Sequence, residues 1–442
     1  MLPSIQFSLC RTFVARVGDL EGINILVSCK EGLDVLSGLN RIEGWAYVKE
    51  LRRTQQGSVL IVAKVIFDRL KNATNNVSSS SASSQPTETN GRWFWALPYE
   101  YRALKIDSKE LVSAAQIEIS LGRHRDNAIL DKSILMLISG NDATNVGAKS
   151  LKLHACFHDD VFLYFLLDYI EGGDLQNLCA QSSQSSLLSD TSSLMFKTST
   201  PYVITRSKQI CVSEAKLRKI FRNVFLTLSF LHEQGYAHRD VSPENILVDA
   251  DGSGILIDYG AAVQITRKKK SIDVDRFFSD AVNATMCGDP KYEKEEAEEE
   301  SMEGTLDGWL PQSPPSGSPF CKLSYADPQY VWRSPWFGVA GDLYSCGLTM
   351  FAAIEGAPLY AAPSALDSRF SLLLPRVSRD VRIRDDSSLS TEPQFREWMS
   401  SRYGGSVSEA YIELVASLVR IPPEERPLSA AAVLKHRWFS LE

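Results

Sequence analysis

Long hydrophobic runs are missing from this sequence. The densest apolar stretch, Val161 to Leu167 (VFLYFLL), is cut off by Asp168. It falls far short of the ~20 residues that a membrane-spanning helix needs and reads as a buried strand. Cysteine is sparse, with 8 in 442 residues, and none of the eight forms a C-x-x-C pair. That removes a zinc knuckle or redox dithiol, and scattered thiols suit a reducing compartment. A basic excess is also lacking: 47 Lys and Arg against 54 Asp and Glu leave a net charge of −7. This argues against a general nucleic-acid binder. No internal repeat is visible. With 44% apolar and 23% charged residues, whole-chain disorder, a collagen-like chain and a disulfide scaffold are excluded. The length suffices for two or three core-bearing units.

Residues 1–18 carry Arg11 and Arg16 but no acid before Asp19, which loosely fits an organelle transit peptide. Arg11 interrupts the apolar stretch and counts against a secretory signal. The simpler expectation is a cytoplasmic protein whose residues 1–45 form a small N-terminal extension with a surface strand or loop. Without a secretory signal, the N-x-S/T triplets at Asn72, Asn76 and Asn283 read as chance matches.

Three polar segments interrupt otherwise well-patterned sequence: 72–90 and 181–200, both Ser-rich, and 267–318, which runs from a basic RKKK block through EKEEAEEESME to PQSPPSGSP. Such compositions bury too little apolar surface to offset the entropy of ordering them, so they read as polar insertions. The first half is strand-rich, with Ser58–Phe67, Trp93–Ile106, Leu151–Phe157 and Val161–Ile170 full of β-branched and aromatic residues. The second half is helical. Ser213 stands before an i, i+3, i+4, i+7 stripe of Leu217, Ile220, Phe221, Val224, Phe225, Leu228 and Leu231. Further helices are expected at Asp342–Ile354, Glu409–Val419 and Ser429–His436. The pattern is α+β: a small β-rich lobe, then a larger helical one.

The strongest chemical signal is His238-Arg239-Asp240-Val241-Ser242-Pro243-Glu244-Asn245, followed by the apolar Ile246-Leu247-Val248 and then by Ile255-Leu256-Ile257-Asp258-Tyr259-Gly260. The two apolar runs would anchor adjacent loops as a buried hairpin carrying Asp240, Asn245 and Asp258. One carboxylate can align and deprotonate a hydroxyl; a second, with an amide oxygen, can hold Mg²⁺ against a polyphosphate.

On these residues the chain resembles the protein kinase superfamily over roughly residues 46–440. HRDVSPEN resembles the catalytic loop and DYG the metal-binding element. Tyr325-Ala326-Asp327-Pro328-Gln329 resembles the end of the activation segment, Asp342 to Gly347 the helix start that braces the catalytic loop, and Pro422 to Pro427 the final helical region. The resemblance implies a bilobal fold with an N-lobe at 46–168 and a C-lobe at 169–440, with ATP and Mg²⁺ bound between them. It implies transfer of a phosphoryl group to a Ser or Thr hydroxyl of a protein substrate, Pro243-Glu244-Asn245 being similar to that branch. Asp240 would be the base, with Asn245 and Asp258 the metal ligands. Lys105 in Ala103-Leu104-Lys105 would hold phosphates, with Lys64 as the alternative strand lysine, and Glu118 would be its helix partner. Val59, Ala103 and Leu247 would sandwich adenine. Leu167 would be the gatekeeper, Asp168 and Ile170 the hinge, and Asp174 the ribose contact.

Several positions depart from that pattern. Of the usual three loop glycines only Gly57 remains, and Arg52 and Arg53 would reach phosphate in their place or stay as solvated cations. Gly122 stands one turn after Glu118, where an apolar residue is expected. Gln329 replaces a Glu that would pair with Arg426. Ser242 stands where the catalytic loop usually has Lys, and Lys322 where the segment often has Thr, so the two are exchanged relative to that pattern. Lys322 is then expected beside Asp240 and Ser242; the competing expectation is a surface lysine. Arg239 would receive a phosphate from Thr266, Ser271, Ser313 or Ser318. A non-catalytic scaffold on the same fold, a pseudokinase, is the alternative function.

Overall fold

A computed structural model describes residues 3–17, 19–28, 41–69, 91–121, 123, 125–140, 147–181, 210–267, 306, 309–312, 321–374 and 392–441. Gly122, the three N-x-S/T triplets, Ser271, Ser313, Ser318, the acidic run and nearly all of the three polar segments lie outside these residues.

The N-terminal lobe is one eight-stranded sheet. Its strands are β1 (Ser8–Val17), β2 (Leu20–Ser28), β3 (Arg41–Arg53), β4 (Gly57–Arg69), β5 (Gly91–Trp95), β6 (Tyr101–Ser108), β7 (Leu153–His158) and β8 (Phe162–Asp168). Residues read from sequence as an extension therefore supply β1 and β2 and the start of β3. These strands close the sheet on itself. Pairing runs β1 to β2, β3, β4, β6, β8 and β7, and β7 returns to β1 in parallel register at Ser8↔Phe157. Closure leaves no long free edge between these strands. It also explains Ile25-Leu26-Val27, all buried in succession: Ile25 and Val27 join one apolar cluster with Phe67 and Trp93, and Leu26 joins another on the opposite face with Leu104 and Leu166.

Helices α1 (Lys109–Ser120) and α2 (Ala128–Ser139) connect β6 to β7. The larger lobe is built on α3 (Glu214–Glu233), α4 (Gly338–Glu355), α5 (Glu392–Tyr403), α6 (Glu409–Leu418) and α7 (Ala430–Leu434). The expected α3 stripe is buried in full, each of its seven side chains at 0% exposure. Ser213 sits at the N-cap position but its side chain makes no capping bond. Pro423-Glu424-Glu425 forms a single 3₁₀ turn. Two short antiparallel strands, β9 (Ile246–Val248) and β10 (Gly254–Leu256), form the expected hairpin. The fold is thus α+β and bilobal, as the sequence pattern implies. No described helix is long and apolar enough to cross a membrane.

The segment 267–318 is not polar insertion to its end. Arg267 bridges Trp309 and packs its guanidinium over that ring at 5.5 Å, and Gln312 pairs with Trp336. Aromatic surface at Trp309 anchors this return toward the helical lobe.

Candidate functional site

Strand period places Ala103, Lys105 and Asp107 on one face of β6, and this face meets α2. Lys105, only 7% exposed, donates to Asp131 Oδ2 at 3.2 Å. Asp131 lies in the first turn of α2, whose N-cap Asn127 accepts from the Leu130 N–H at 3.0 Å. The helix N-terminus favours an acid there. The same carboxylate pairs with Lys132 and accepts from the Tyr259 N–H at 3.0 Å. Burial alone would raise the Asp131 carboxyl, but Lys132, Lys105 and that N–H hold it below the usual range. Burial would likewise lower Lys105, yet Asp131, Asp107 and Asp258 hold it above the ordinary lysine value. Asp107 is fully buried with neither oxygen hydrogen-bonded, and burial pushes its carboxyl up.

The helix partner expected from sequence is therefore corrected. Glu118, on α1, faces away: it binds Arg123 at 2.8 Å and Arg125 at 3.2 Å. Asp131 takes the place assigned to it. Sequence held only a partial hint: Leu135, one turn after Asp131, is apolar, and the structure buries it in the same core cluster as Tyr259, whereas Gly122 follows Glu118. Lys64, the alternative strand lysine, pairs with Glu43 at 2.9 Å on the outside of the sheet.

Between the lobes lies a cleft of about 400 Å³. Val59, Ala103, Leu167 and Leu247 give it apolar walls; Asp168, Ile170 and Asp174 line its rim, and Lys105, Asp131, Lys132 and Asp258 its charged end. Asp174 also caps the helix at 175–181 by accepting from the Asn177 N–H at 2.7 Å. Gly57 is corrected: it does not line the cleft. A Cβ there would stand 1.8 Å from the Ile106 carbonyl oxygen, so the glycine serves the close approach of β4 to β6. The preceding turn is pinned instead by Gln56, whose Nε2 donates to the Asp126 carbonyl at 2.7 Å. Arg52 reaches Asp258 Oδ2 at 3.6 Å; Arg53 pairs with Glu50.

The hairpin joins the remaining acids. Asn245 donates through Nδ2 to Asp240 Oδ2 at 2.8 Å, and its carbonyl accepts from the Ile257 N–H at 2.9 Å, next to Asp258. Asn245 Oδ1 is buried with no hydrogen-bond partner. Asp258 and Arg239 both adopt positive φ, of 67° and 66°. For non-glycine residues this stores about 1–3 kcal/mol that the surroundings must offset. They do so at Arg239: its N–H and that of His238 both donate to Asp342 on α4, at 2.8 and 2.7 Å. His238 Nε2 donates to the Ile257 carbonyl at 3.1 Å, tying the two loops, and its ring meets Tyr259 edge-on. The Arg239 side chain donates to the Ala261 carbonyl and lies over Tyr330.

Lys322 is not a surface lysine. Its Nζ lies 2.8 Å from Ser242 Oγ, 3.3 Å from Asp240 Oδ2 and 2.9 Å from Glu244 Oε2. Gln329 does not meet Arg426. Its Oε1 is buried without a partner, and Asp327, two residues earlier, forms the buried ion pair with Arg426 while also capping the turn at Pro328–Val331.

The arrangement is a cleft with two lysines at one end, an amide oxygen and a carboxylate beside them, and a second carboxylate braced by a buried aspartate. A sequence profile of the protein kinase domain matches residues 126–309. That match supports membership of the protein kinase superfamily. It is 25% identical over 238 residues to maternal embryonic leucine zipper kinase of Xenopus tropicalis, covering 54% of this chain and 26% of that protein. It is also 25% identical over 233 residues to the liver/testis phosphorylase b kinase gamma catalytic chain of Mus musculus, covering 53% and 42%. To serine/threonine-protein kinase GIN4 of Saccharomyces cerevisiae it is 22% identical over 287 residues, covering 65% and 17%. The chain thus spans about a quarter of the length of the first of these relatives. The profile match begins at Asp126, past the strand lysine and the glycine-poor turn, where this chain departs most from the family pattern.

Proposed function

We propose that this protein transfers the γ-phosphoryl group of ATP to a Ser or Thr hydroxyl of a protein substrate. Adenine fits between Val59, Ala103 and Leu247, and Lys105, braced by Asp131, meets the phosphates. Asp240 orients the acceptor hydroxyl and takes its proton. Asn245 and Asp258 hold Mg²⁺, which when bound offsets polyphosphate charge. The observation that carries this reading is Asn245 Oδ1: a buried amide oxygen with no partner, whose own Nδ2 is committed to Asp240, fits a hard cation that accepts oxygen donors. The serine/threonine assignment draws on Pro243-Glu244-Asn245 and on the printed names of the relatives.

Incubation with γ-labelled ATP and a mixed Ser, Thr and Tyr acceptor, followed by identification of the labelled amino acid, tests it. Phosphoserine or phosphothreonine is expected; phosphotyrosine alone, or no label, overturns it. One observation favours a second reading, an ATP-binding scaffold: the Arg52 guanidinium occupies a position 3.6 Å from Asp258, where a metal would compete with it. That reading predicts a rise in melting temperature with Mg-ATP and no label.

A further inference from the structure

One side chain ties the loop bearing Asp240 to the end of the segment that begins at Asp258. Lys322 Nζ is held by three residues of the loop, Asp240, Ser242 and Glu244, at 3.3, 2.8 and 2.9 Å. Its backbone N–H also faces Asp240 Oδ1 at 3.4 Å. Among the described residues, neither Asp240 nor Glu244 has another ion-pair partner. Ser242 is fully buried, and its neutral hydroxyl carries no charge. The lysine side chain remains one-third exposed, and Glu244 beside it lines the cleft. The seat of Lys322 is fixed from the other side. Its carbonyl accepts from the Tyr325 and Ala326 N–H groups, and the next residue, Asp327, is locked to Arg426 in the core of the helical lobe.

We propose that Lys322 supplies, from the segment, the positive charge that the loop lacks at Ser242, and that turnover therefore requires the end of the segment to be seated on the loop. This rests on the reading of Asp240 as the base. In the transfer, the acceptor O–H proton passes to Asp240, the acceptor oxygen bonds to the γ-phosphorus, and the bond from phosphorus to the β,γ-bridging oxygen breaks, its electron pair leaving with ADP. Charge accumulates on the peripheral and leaving oxygens, and an ammonium beside the base offsets it. A lysine fixed within the loop would be present in every state of the segment. Lys322 is present only when residues 322–327 are docked, so displacement of that short stretch removes a charge from the site without altering the nucleotide pocket.

Steady-state kinetics on wild type, Lys322→Met, Lys322→Arg and the exchange variant Ser242→Lys/Lys322→Ser, with Asp240→Asn as control, test this. Removing one such donor costs about 10²–10³ in rate. Lys322→Met is expected to lower kcat about 100-fold with the KM for ATP changed less than about threefold. The exchange variant, with the charge back on the loop, is expected to recover at least about tenfold over Lys322→Met, and Lys322→Arg to fall between. A merely structural lysine would not be rescued by exchange. Lys322→Met within about threefold of wild-type kcat overturns the proposal, as does an exchange variant no better than Lys322→Met at equal melting temperature. Should Lys322→Met fail to fold, the arginine and exchange variants carry the same comparison. A wild-type protein without turnover, equal to Asp240→Asn, sinks the parent reading and this one together; turnover in wild type that Lys322→Met retains sinks this one alone.

Discussion

Lys105 and Lys132 share a single carboxylate, that of Asp131, inside a site where all three side chains are almost wholly buried. One acid thus pairs with a strand lysine and a helix lysine at once, and Asp107, 3.9 Å from Lys105, is the second acid near that strand lysine.

The Asp131→Asn variant leaves two buried ammoniums against a neutral amide. Removing one partner of a buried pair typically costs about 3–5 kcal/mol. The midpoint of urea unfolding is expected to fall accordingly, and Mg-ATP to lose its effect on melting temperature. Glu118→Gln is expected to change neither. Equal behaviour of the two variants would contradict the assignment of Asp131 as the partner of Lys105.

Asp126 gives the protein a specific pH response. Burial pushes its carboxyl up to about 6, from an ordinary value near 3.8, although Lys105 pulls it down. A carboxyl raised on folding binds its proton more tightly in the folded chain. Between about pH 4 and 6 the folded chain therefore holds more protons than the unfolded one, and stability drains away as pH rises through that window. Above it the loss is complete and flat, at up to about 3 kcal/mol. Asp126→Asn removes this loss. Urea unfolding of both proteins from pH 4.5 to 7.5 should show wild type losing stability relative to the variant as pH rises to 6, then running parallel; parallel curves throughout would refute it.

Arg52 stands 3.6 Å from Asp258, where a bound cation would compete with it. Partly exposed ion pairs are worth about 0.2–1 kcal/mol. Arg52→Gln is expected to lower the Mg²⁺ concentration at half-maximal thermal stabilisation by ATP about 1.5- to 5-fold. A higher Mg²⁺ midpoint would instead assign Arg52 to the phosphates.

Asp327, not Gln329, secures the end of the segment. Asp327→Asn should lower stability by about 3–5 kcal/mol, since it strips the charge partner from the fully buried Arg426. Gln329→Glu should add nothing. A stabilised Gln329→Glu protein would restore the pairing expected from the family pattern.

Sequence revealed most where chemistry and periodicity coincide. The stripe of α3 and the hairpin that anchors Asp240, Asn245 and Asp258 follow from residue type and spacing, and the exchange of Ser242 with Lys322 follows from the comparison with the family pattern. Two kinds of feature were not legible. The first is pairing between distant strands: nothing in residues 8–28 signals that β1 and β2 close the sheet, because alternation specifies a strand and not its neighbour. The second is substitution by a shorter acid. Asp131 for Glu118 and Asp327 for Gln329 both put an aspartate where the family pattern directs attention to a glutamate position, and only the packed helix or turn shows which carboxylate reaches its cation. Gly57 misled for a related reason: the family pattern points to phosphate, whereas the Ile106 carbonyl demands the glycine.

The central claim is that Asp240, Asn245 and Asp258 act together on Mg-ATP, and it is tested most directly by label transfer from γ-labelled ATP to a protein acceptor, wild type against Asp240→Asn prepared identically. Loss of the base should reduce transfer by about 10²-fold or more while Mg-ATP still raises the melting temperature of both proteins. Equal label in the two, or no thermal response to Mg-ATP in either, would contradict it.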